Sequence, residues 1–245
     1  MRKPIPDKIN SLRDFYAFEQ HVKTARANRG YEMLAEWYEM PVFYFSNHNA
    51  IYRHGDIVPK PRHTEWLDYE LEIGFMIGKA GINIPAEKAM DYIEAFMILN
   101  DWSARDIQRK EMRVGLGPAK GKDFATSLGP ELVTLDELAD RVIGSGADTR
   151  YDLEMVARVN GQELSRGNTK DIYFTFAQMI ERASDDVMLY PGDVIGSGTV
   201  GTGCLLELGG ETSALGRWLE AGDVVELEIE RLGLLRNTVG EPHLE

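Results

Sequence analysis

The sequence predicts an α+β fold dominated by strands, with a few helices, over a single domain of residues 1–245. Short runs of β-branched and aromatic residues recur between turns marked by glycine and proline. Helical periodicity is confined to a few short stretches, and no solenoid-period repeat or low-complexity linker divides the chain. At 245 residues the chain can bury a large core, on a scale of roughly 150 residues per domain.

The elements follow in order. Met1 to Asn10 is polar with two prolines. Ser11-Leu12-Arg13-Asp14 has the form of a capping box, which predicts a helix through Tyr16, Phe18 and His21 into the thirties. Val42-Phe43-Tyr44-Phe45 predicts a short strand, and the polar stretch ending Pro59-Lys60-Pro61 a long irregular loop. Tyr69 to Ile77 is β-rich and sets Glu70 and Glu72 at period two, so both carboxylates share a face. Pro85 opens a short helix over Ala86 to Tyr92. Phe96 to Leu99 reads as a buried strand with Asp101 at its end. Gly115 to Pro130, with glycines among lysines, aspartate and threonine, reads as a site loop. Asp152 to Val159 predicts a strand running into the Asn160-Gly161 turn, and a helix follows from about Asp171 to Ala183. Gly192-Asp193-Val194 and Gly222-Asp223-Val224 each turn into an apolar β-type run, and residues from about Asn237 read as a tail.

Composition narrows the function. Apolar residues make up 43% and charged residues 27%, ordinary for a globular chain. A formal net charge of −13 leaves no broad positive surface for phosphate backbones or anionic lipids, so neither nucleic acid nor membrane is expected as a partner. The single cysteine, Cys204, excludes an internal disulfide and a cysteine-rich zinc site. With no leader-like segment before residue 30 and no apolar run near the ~20 residues that span a bilayer, a reducing cytoplasm is the expected compartment.

Two nucleotide-binding motifs fail on context. Gly196-Ser197-Gly198-Thr199-Val200-Gly201 spells the dinucleotide fingerprint, whose third glycine must open a helix, yet it runs into Cys204 to Leu208, a strand-like pattern. Gly121-Lys122 lacks the P-loop's first glycine, with Leu116 in its place, and Asp123 stands where the magnesium-binding Ser or Thr belongs.

The carboxylates are the strongest unaided signal. Adjacent same-face glutamates repel unless solvated or neutralised by a cation. Taken alone, a solvated acidic strand face accounts for Glu70 and Glu72 more simply than a metal does. The apolar Ile-Gly-Phe-Met-Ile that follows Glu72 shows no polar alternation, however, which suggests a strand buried on both faces. Two glutamates with aspartates form an all-oxygen set suited to Mg²⁺, Mn²⁺ or Ca²⁺, and Asp101 is a candidate third ligand. If Asn100 to Gln108 is helical, Asp101, Arg105 and Gln108 share a face, although an exposed Asp/Arg pair worth ~0.3–0.5 kcal/mol explains the spacing equally well. Asp14 and His21 have simpler readings too, as a helix cap and as a surface or core histidine.

Taken together and in order, Asp14-Phe-Tyr-x-x-x-Gln-His21, Glu70-Leu-Glu72, Asn100-Asp-Trp-Ser-Ala-Arg-Asp-Ile-Gln108, Gly121-Lys122, Ser197-Gly-Thr199 and Leu206-Glu207-Leu208 resemble the catalytic domain of the fumarylacetoacetate hydrolase family over nearly the whole chain. The resemblance implies a mixed β-sheet roll with peripheral helices, a homodimer, and Mg²⁺ or Ca²⁺ held by Asp14, Glu70, Glu72 and Asp101, with Lys122 and Thr126 as further loop contacts. It implies that His21, oriented by Glu207, activates water for attack on a β-diketo acid. Arg105, Gln108 and Lys122 would surround the carbonyl and the leaving carbanion, and Tyr16, Tyr44 and Thr199 would contact the substrate.

That chemistry is coherent. A divalent cation stabilises the enolate released on C–C cleavage, so no organic cofactor is needed. A glutamate on the second ring nitrogen of a histidine fixes its tautomer, and cationic side chains stabilise an oxyanion and receive an anionic keto acid. The same metal ligands also serve family members that decarboxylate, isomerise or dehydrate 2-keto acids from aromatic or sugar-acid catabolism. A non-catalytic Ca²⁺-binding protein is the remaining alternative, opposed by the intact His21, Glu207, Arg105 and Lys122. Two departures stand out. Asp14 lies near the start, so no separate N-terminal domain is expected. The segment between Gln108 and Lys122 is one residue longer than in the hydrolases, and Ala125 stands where glycine is common.

Overall fold

The computed structural model describes residues 2–243. Two sheets carry the fold. The larger, mixed sheet runs in the order Lys3–Pro4, Thr126–Val133, Ile93–Asp101, Leu71–Ile77, Asp193–Gly196, Ser11–Phe15, Phe43–Ser46, with Ile51–Arg53 also paired to Thr126–Val133. The smaller has Gln162–Asn168, Glu154–Val159, Val224–Ile229, Gly233–Gly240 and Ile57–Pro59. Helices Glu19–Ala27, Arg105–Val114 and Phe176–Ser184 lie outside them. The expected strand-dominated α+β architecture is what the chain adopts.

Residue parity explains the large sheet. Along Leu71–Ile77, the side chains of Leu71, Ile73, Phe75 and Ile77 enter the main core, which also takes Met155, Ala157, Val225 and Leu227 from the smaller sheet. The opposite face is buried too, in a second cluster of Leu12, Met76, Met97, Leu99, Leu128 and Val194. Both faces are therefore dry, and this accounts for the missing polar alternation after Glu72. The helix Phe176–Ser184 closes one side of the main core, with the ring of Phe176 4.9 Å from that of Phe96 and 5.6 Å from that of Phe75.

Several expectations are corrected. Ser11 opens a strand rather than a helix: its hydroxyl donates to Asp193 Oδ1 at 2.6 Å, and Ser11–Phe15 pairs in parallel with Asp193–Gly196. The helix carrying His21 spans only Glu19–Ala27, with a separate short helix at Ala35–Glu39. The stretch before Pro61 is not wholly irregular, because Ile51–Arg53 and Ile57–Pro59 pair with strands from the two sheets. The loop after Gly115 ends at Ala125, where the strand Thr126–Val133 begins. The later helix starts at Phe176, because Thr175 and Gln178 form the capping box that Ser11 does not. Cys204 to Leu208 forms turns, and Asn237 lies inside the strand Gly233–Gly240 rather than in a tail. Among the described residues, no helix is long and apolar enough to cross a membrane.

Candidate active site

The face of the large sheet that holds Leu12, Leu99 and Val194 changes chemistry at its end. Two residues further along these strands stand Asp14, Asp101 and Gly196, and Glu72 lies directly opposite Leu99. Oxygens of Asp14, Glu70, Glu72 and Asp101 all lie within 4.8 Å of one another, and all four residues are buried. Asp101 is the last residue of its strand, and the helix begins only at Arg105. The expected helical face of Asp101, Arg105 and Gln108 is thus replaced by a strand end followed by a helix start, which still brings the three to one place.

Glycine makes the approach possible. A Cβ on Gly196 would press on Asp14 Oδ1 and come within 3.0 Å of Glu72 Oε2. Gly198, at φ +82°, turns its N–H to donate to Glu72 Oε2 at 3.0 Å and Asp14 Oδ1 at 3.3 Å. Two of the glycines that spell a dinucleotide fingerprint, Gly196 and Gly198, therefore let the chain pass close to carboxylates, whereas Gly201 lies against Gln20.

Two cations compensate part of the charge. Lys122 Nζ donates to Glu70 Oε2 at 2.5 Å and Asp101 Oδ2 at 2.6 Å. The longer loop before it does not carry Lys122 away, and Ala125 packs into the main core. Arg105 donates to Asp68 Oδ2 and Glu70 Oε1, both at 2.8 Å, and to Gln108 Oε1 at 3.2 Å. Tyr44, opposite Asp14 across the sheet, donates its hydroxyl to Asp101 Oδ2. Thr126 pairs with Asp101 on the neighbouring strand, and Thr199 Oγ1 is 3.5 Å from Glu72 Oε1.

The remaining charge shifts the carboxylates from their ordinary values. Burial, together with Asp101, holds Asp14 well above the usual carboxylate range, and burial together with Asp14 does the same to Glu72. Burial also raises Asp101, against the pull of Lys122. Glu70 goes the other way: burial pushes it up, but Lys122 and Arg105 hold it well below its ordinary value. Asp101 Oδ1 is buried with no hydrogen-bond partner. An orphaned oxygen, close-set oxygen donors and excess negative charge fit a hard divalent cation, for which Asp14, Glu70, Glu72 and Asp101 would be the ligands.

His21 Nδ1 lies 2.6 Å from Glu207 Oε2, and Thr202 N donates to Glu207 Oε1 at 3.1 Å. Tyr16 sets its ring edge-on to His21 at 5.4 Å. Tyr16, His21, Tyr44, Gln108, Lys122 and Thr199 line one cavity of about 400 Å³ with Asp14, Glu70, Glu72 and Arg105. Asp101, Thr126 and Glu207 are not among its walls.

Three contributors escaped the sequence reading. Buried Asp68 binds Arg105 and accepts from the backbone N–H groups of Leu205 and Leu206 at 2.7 and 3.0 Å, tying the Glu207 turn to the carboxylates. Its signal was present, since Asp68 continues the period-two acidic series of Glu70 and Glu72. Arg26 and Arg29, one helical turn apart on Glu19–Ala27 and its C-terminal extension, line the cavity beyond His21.

The fumarylacetoacetate (FAA) hydrolase C-terminal model matches residues 10–240. The chain is 35% identical over 202 residues to human mitochondrial oxaloacetate tautomerase FAHD2A, covering 81% of this chain and 59% of that protein. It is 33% identical over 202 residues to 2,4-didehydro-3-deoxy-L-rhamnonate hydrolase of Sphingomonas sp., covering 82% of this chain and 65% of that protein. It thus spans less than two thirds of each of these two relatives. In fold it resembles fumarylpyruvate hydrolase from Pseudomonas aeruginosa in complex with Mn²⁺ and pyruvate, with a TM-score of 0.76 at 21% identity over 98% of this chain and 96% of that one. By this match over most of its length, and by relatives that include both a hydrolase and a tautomerase, the chain belongs to the fumarylacetoacetate hydrolase family.

Proposed function

We propose that this protein is a divalent-metal-dependent hydrolase that cleaves the C–C bond of a β-diketo acid of the fumarylacetoacetate or acylpyruvate type. The observation that carries the reading is the His21–Glu207 pair, with a 2.6 Å contact, beside the same cavity as the carboxylate cradle. Mg²⁺, Ca²⁺ or Mn²⁺ would be held by Asp14, Glu70, Glu72 and Asp101, supplying Lewis-acid stabilisation of an enolate. Glu207 engages Nδ1, so Nε2 is the nitrogen that takes a proton from water as the oxygen attacks the distal carbonyl. The C–C bond then breaks with its electron pair leaving on the enolate carbon, and the imidazolium returns the proton there. Arg105, Gln108 and Lys122 would hold the oxygens on which charge develops. Tyr16, Tyr44 and Thr199 position the substrate, and Arg26 and Arg29 offer positive charge to an anionic end. The partner is therefore a small anionic keto acid, and we further propose a homodimer.

A second reading is favoured by the 35% identity to an oxaloacetate tautomerase: the same cradle serves movement of a proton between carbon and enol oxygen without addition of water. A chelator-controlled absorbance screen with fumarylacetoacetate, acylpyruvates and oxaloacetate in ¹⁸O water separates the two. Metal-dependent loss of the diketone chromophore with ¹⁸O in the released acid is the expected result. Enol-to-keto conversion of oxaloacetate with no diketone cleavage would overturn hydrolysis and establish the tautomerase.

A further inference from the structure

Beside the all-oxygen cradle lies a group of different chemistry. Cys204 Sγ is 3.6 Å from Glu207 Oε2, which is 2.6 Å from His21 Nδ1, and donor atoms of the three residues all lie within 4.8 Å of one another. Cys204 is fully buried, and the His21 and Glu207 side chains are 5% and 1% exposed. We infer that Cys204, His21 and Glu207 form a second cation site, selective for a thiophilic divalent ion such as Zn²⁺ or Cd²⁺, whose occupation arrests the enzyme.

The spacing suits such an ion. Zn–S and Zn–O bonds of about 2.3 and 2.1 Å at a tetrahedral angle separate sulfur from oxygen by about 3.6 Å. The His21–Glu207 contact must open, by less than about 1 Å, to admit the ion. One sulfur, one imidazole nitrogen and one carboxylate leave a fourth position for water, the coordination number of a zinc site with three protein ligands. Mg²⁺ dehydrates reluctantly and prefers oxygen, so the cradle and this group sort cations by hardness.

The proton balance explains the arrest. In the resting pair, Nδ1 carries the proton shared with Glu207, and Nε2 is free to act as base. When the ion takes Nδ1, that proton is relocated to Nε2, and the thiol proton is released to solvent, one proton in all. Nε2 then has no lone pair for water. Binding stands on the geometry alone; the arrest rests on His21 as the base, as proposed above.

Cys204 is the only cysteine, so a thiolate-to-cadmium charge-transfer band has a single source. Cd²⁺ is titrated into the Mg²⁺-saturated protein while the band and the melting temperature are followed. The expected result is a band that saturates at one equivalent with a rise in melting temperature, and about 10- to 100-fold weaker binding in Glu207→Gln. No band, a band accompanied by a fall in melting temperature, or undiminished binding in Glu207→Gln would overturn the site. In parallel, Zn²⁺ is expected to abolish turnover of the Mg²⁺-loaded enzyme, and Cys204→Ser to keep its basal rate while needing about 10- to 100-fold more Zn²⁺. Equal inhibition of Cys204→Ser would overturn the arrest. Saturated Cd²⁺ binding with unchanged turnover would overturn both the arrest and His21 as base, while the site itself stood.

Discussion

One face of one sheet carries two kinds of interior. Leu12, Leu99 and Val194 sit in a dry apolar cluster, and two residues along the same strands the face holds Asp14, Asp101 and the bare backbone of Gly196. Backbone pairing and burial are alike at both ends, so parity chose the face and position along the strand chose the chemistry. At the apolar end, close packing does the work and substitutions act through volume. At the carboxylate end, burial opposes the ionised state, and a bound divalent cation would reconcile the two.

The sharpest way to break this comparison is to remove one ligand and one base. Glu72→Ala is expected to lose metal affinity and turnover together. His21→Ala is expected to lose about 10²- to 10⁴-fold in turnover with metal affinity intact, the scale of a missing general base. Titration calorimetry with Mn²⁺ alongside kcat separates the two. Unchanged Mn²⁺ affinity in Glu72→Ala would show that the carboxylates are not a cation cradle. Leu99→Ala is the complementary test, since Leu99 is buried and faces Glu72 across the sheet. The expected loss is about 2–5 kcal/mol in denaturant unfolding, with the folded fraction still binding Mn²⁺ as wild type does.

These two ends were not equally legible. The glutamate pair could be read because a period of two survives in any strand, whatever covers its faces. Asp101 could be placed at a strand end by the apolar run before it. The turn holding Glu207 could not: Cys204 to Leu208 has strand letters, but Asp68 takes the N–H groups of Leu205 and Leu206 that a ladder would need. Ser11 misled for the same reason, since its hydroxyl serves Asp193, 182 residues away, and not a local helix end. Local patterns fix what a segment can do, and a distant buried carboxylate decided which option was taken. The proposed metal-ligand set needed the ordered blocks of family resemblance, because Asp14 and His21 have commonplace explanations when each is read alone.

A smaller effect concerns pH in the absence of metal. Asp14 and Glu72 have folded-state values raised well above their unfolded ones by burial and by a neighbouring carboxylate, Asp101 for Asp14 and Asp14 for Glu72, so the folded chain holds protons that the unfolded chain releases. Chelator-treated protein should therefore lose stability as pH rises above the ordinary carboxylate range and through the raised values. Glu70, depressed by Lys122 and Arg105 despite burial, contributes stability that is present above its unfolded value and lost only in acid, so it does not offset this trend between pH 5 and 8. The melting temperature in chelator is expected to fall from pH 5 to 8, the slope to flatten with saturating Mg²⁺, and Glu72→Gln to flatten it without metal. A chelated profile that rises over that window would contradict the charge excess assigned to the cradle.

The smallest effect sharpens the comparison most, because it changes shape without changing polarity. Met97 is fully buried in the apolar cluster, and Met97→Leu nearly conserves volume, so a cost below about 1.5 kcal/mol is expected, with turnover and metal affinity unchanged. Glu72→Asp is the matching change at the other end, keeping the charge and withdrawing the carboxylate by one methylene from Gly198 N, 3.0 Å away. Packing tolerates such a change because neighbouring side chains can relax toward the gap, whereas a ligand oxygen has to meet a cation held by three other carboxylates. Mn²⁺ affinity should therefore fall in Glu72→Asp while unfolding free energy measured with chelator stays near wild type. If Met97→Leu instead weakened Mn²⁺ binding as much as Glu72→Asp, the two ends would be one mechanical unit, and position along the strand would not separate packing from chemistry.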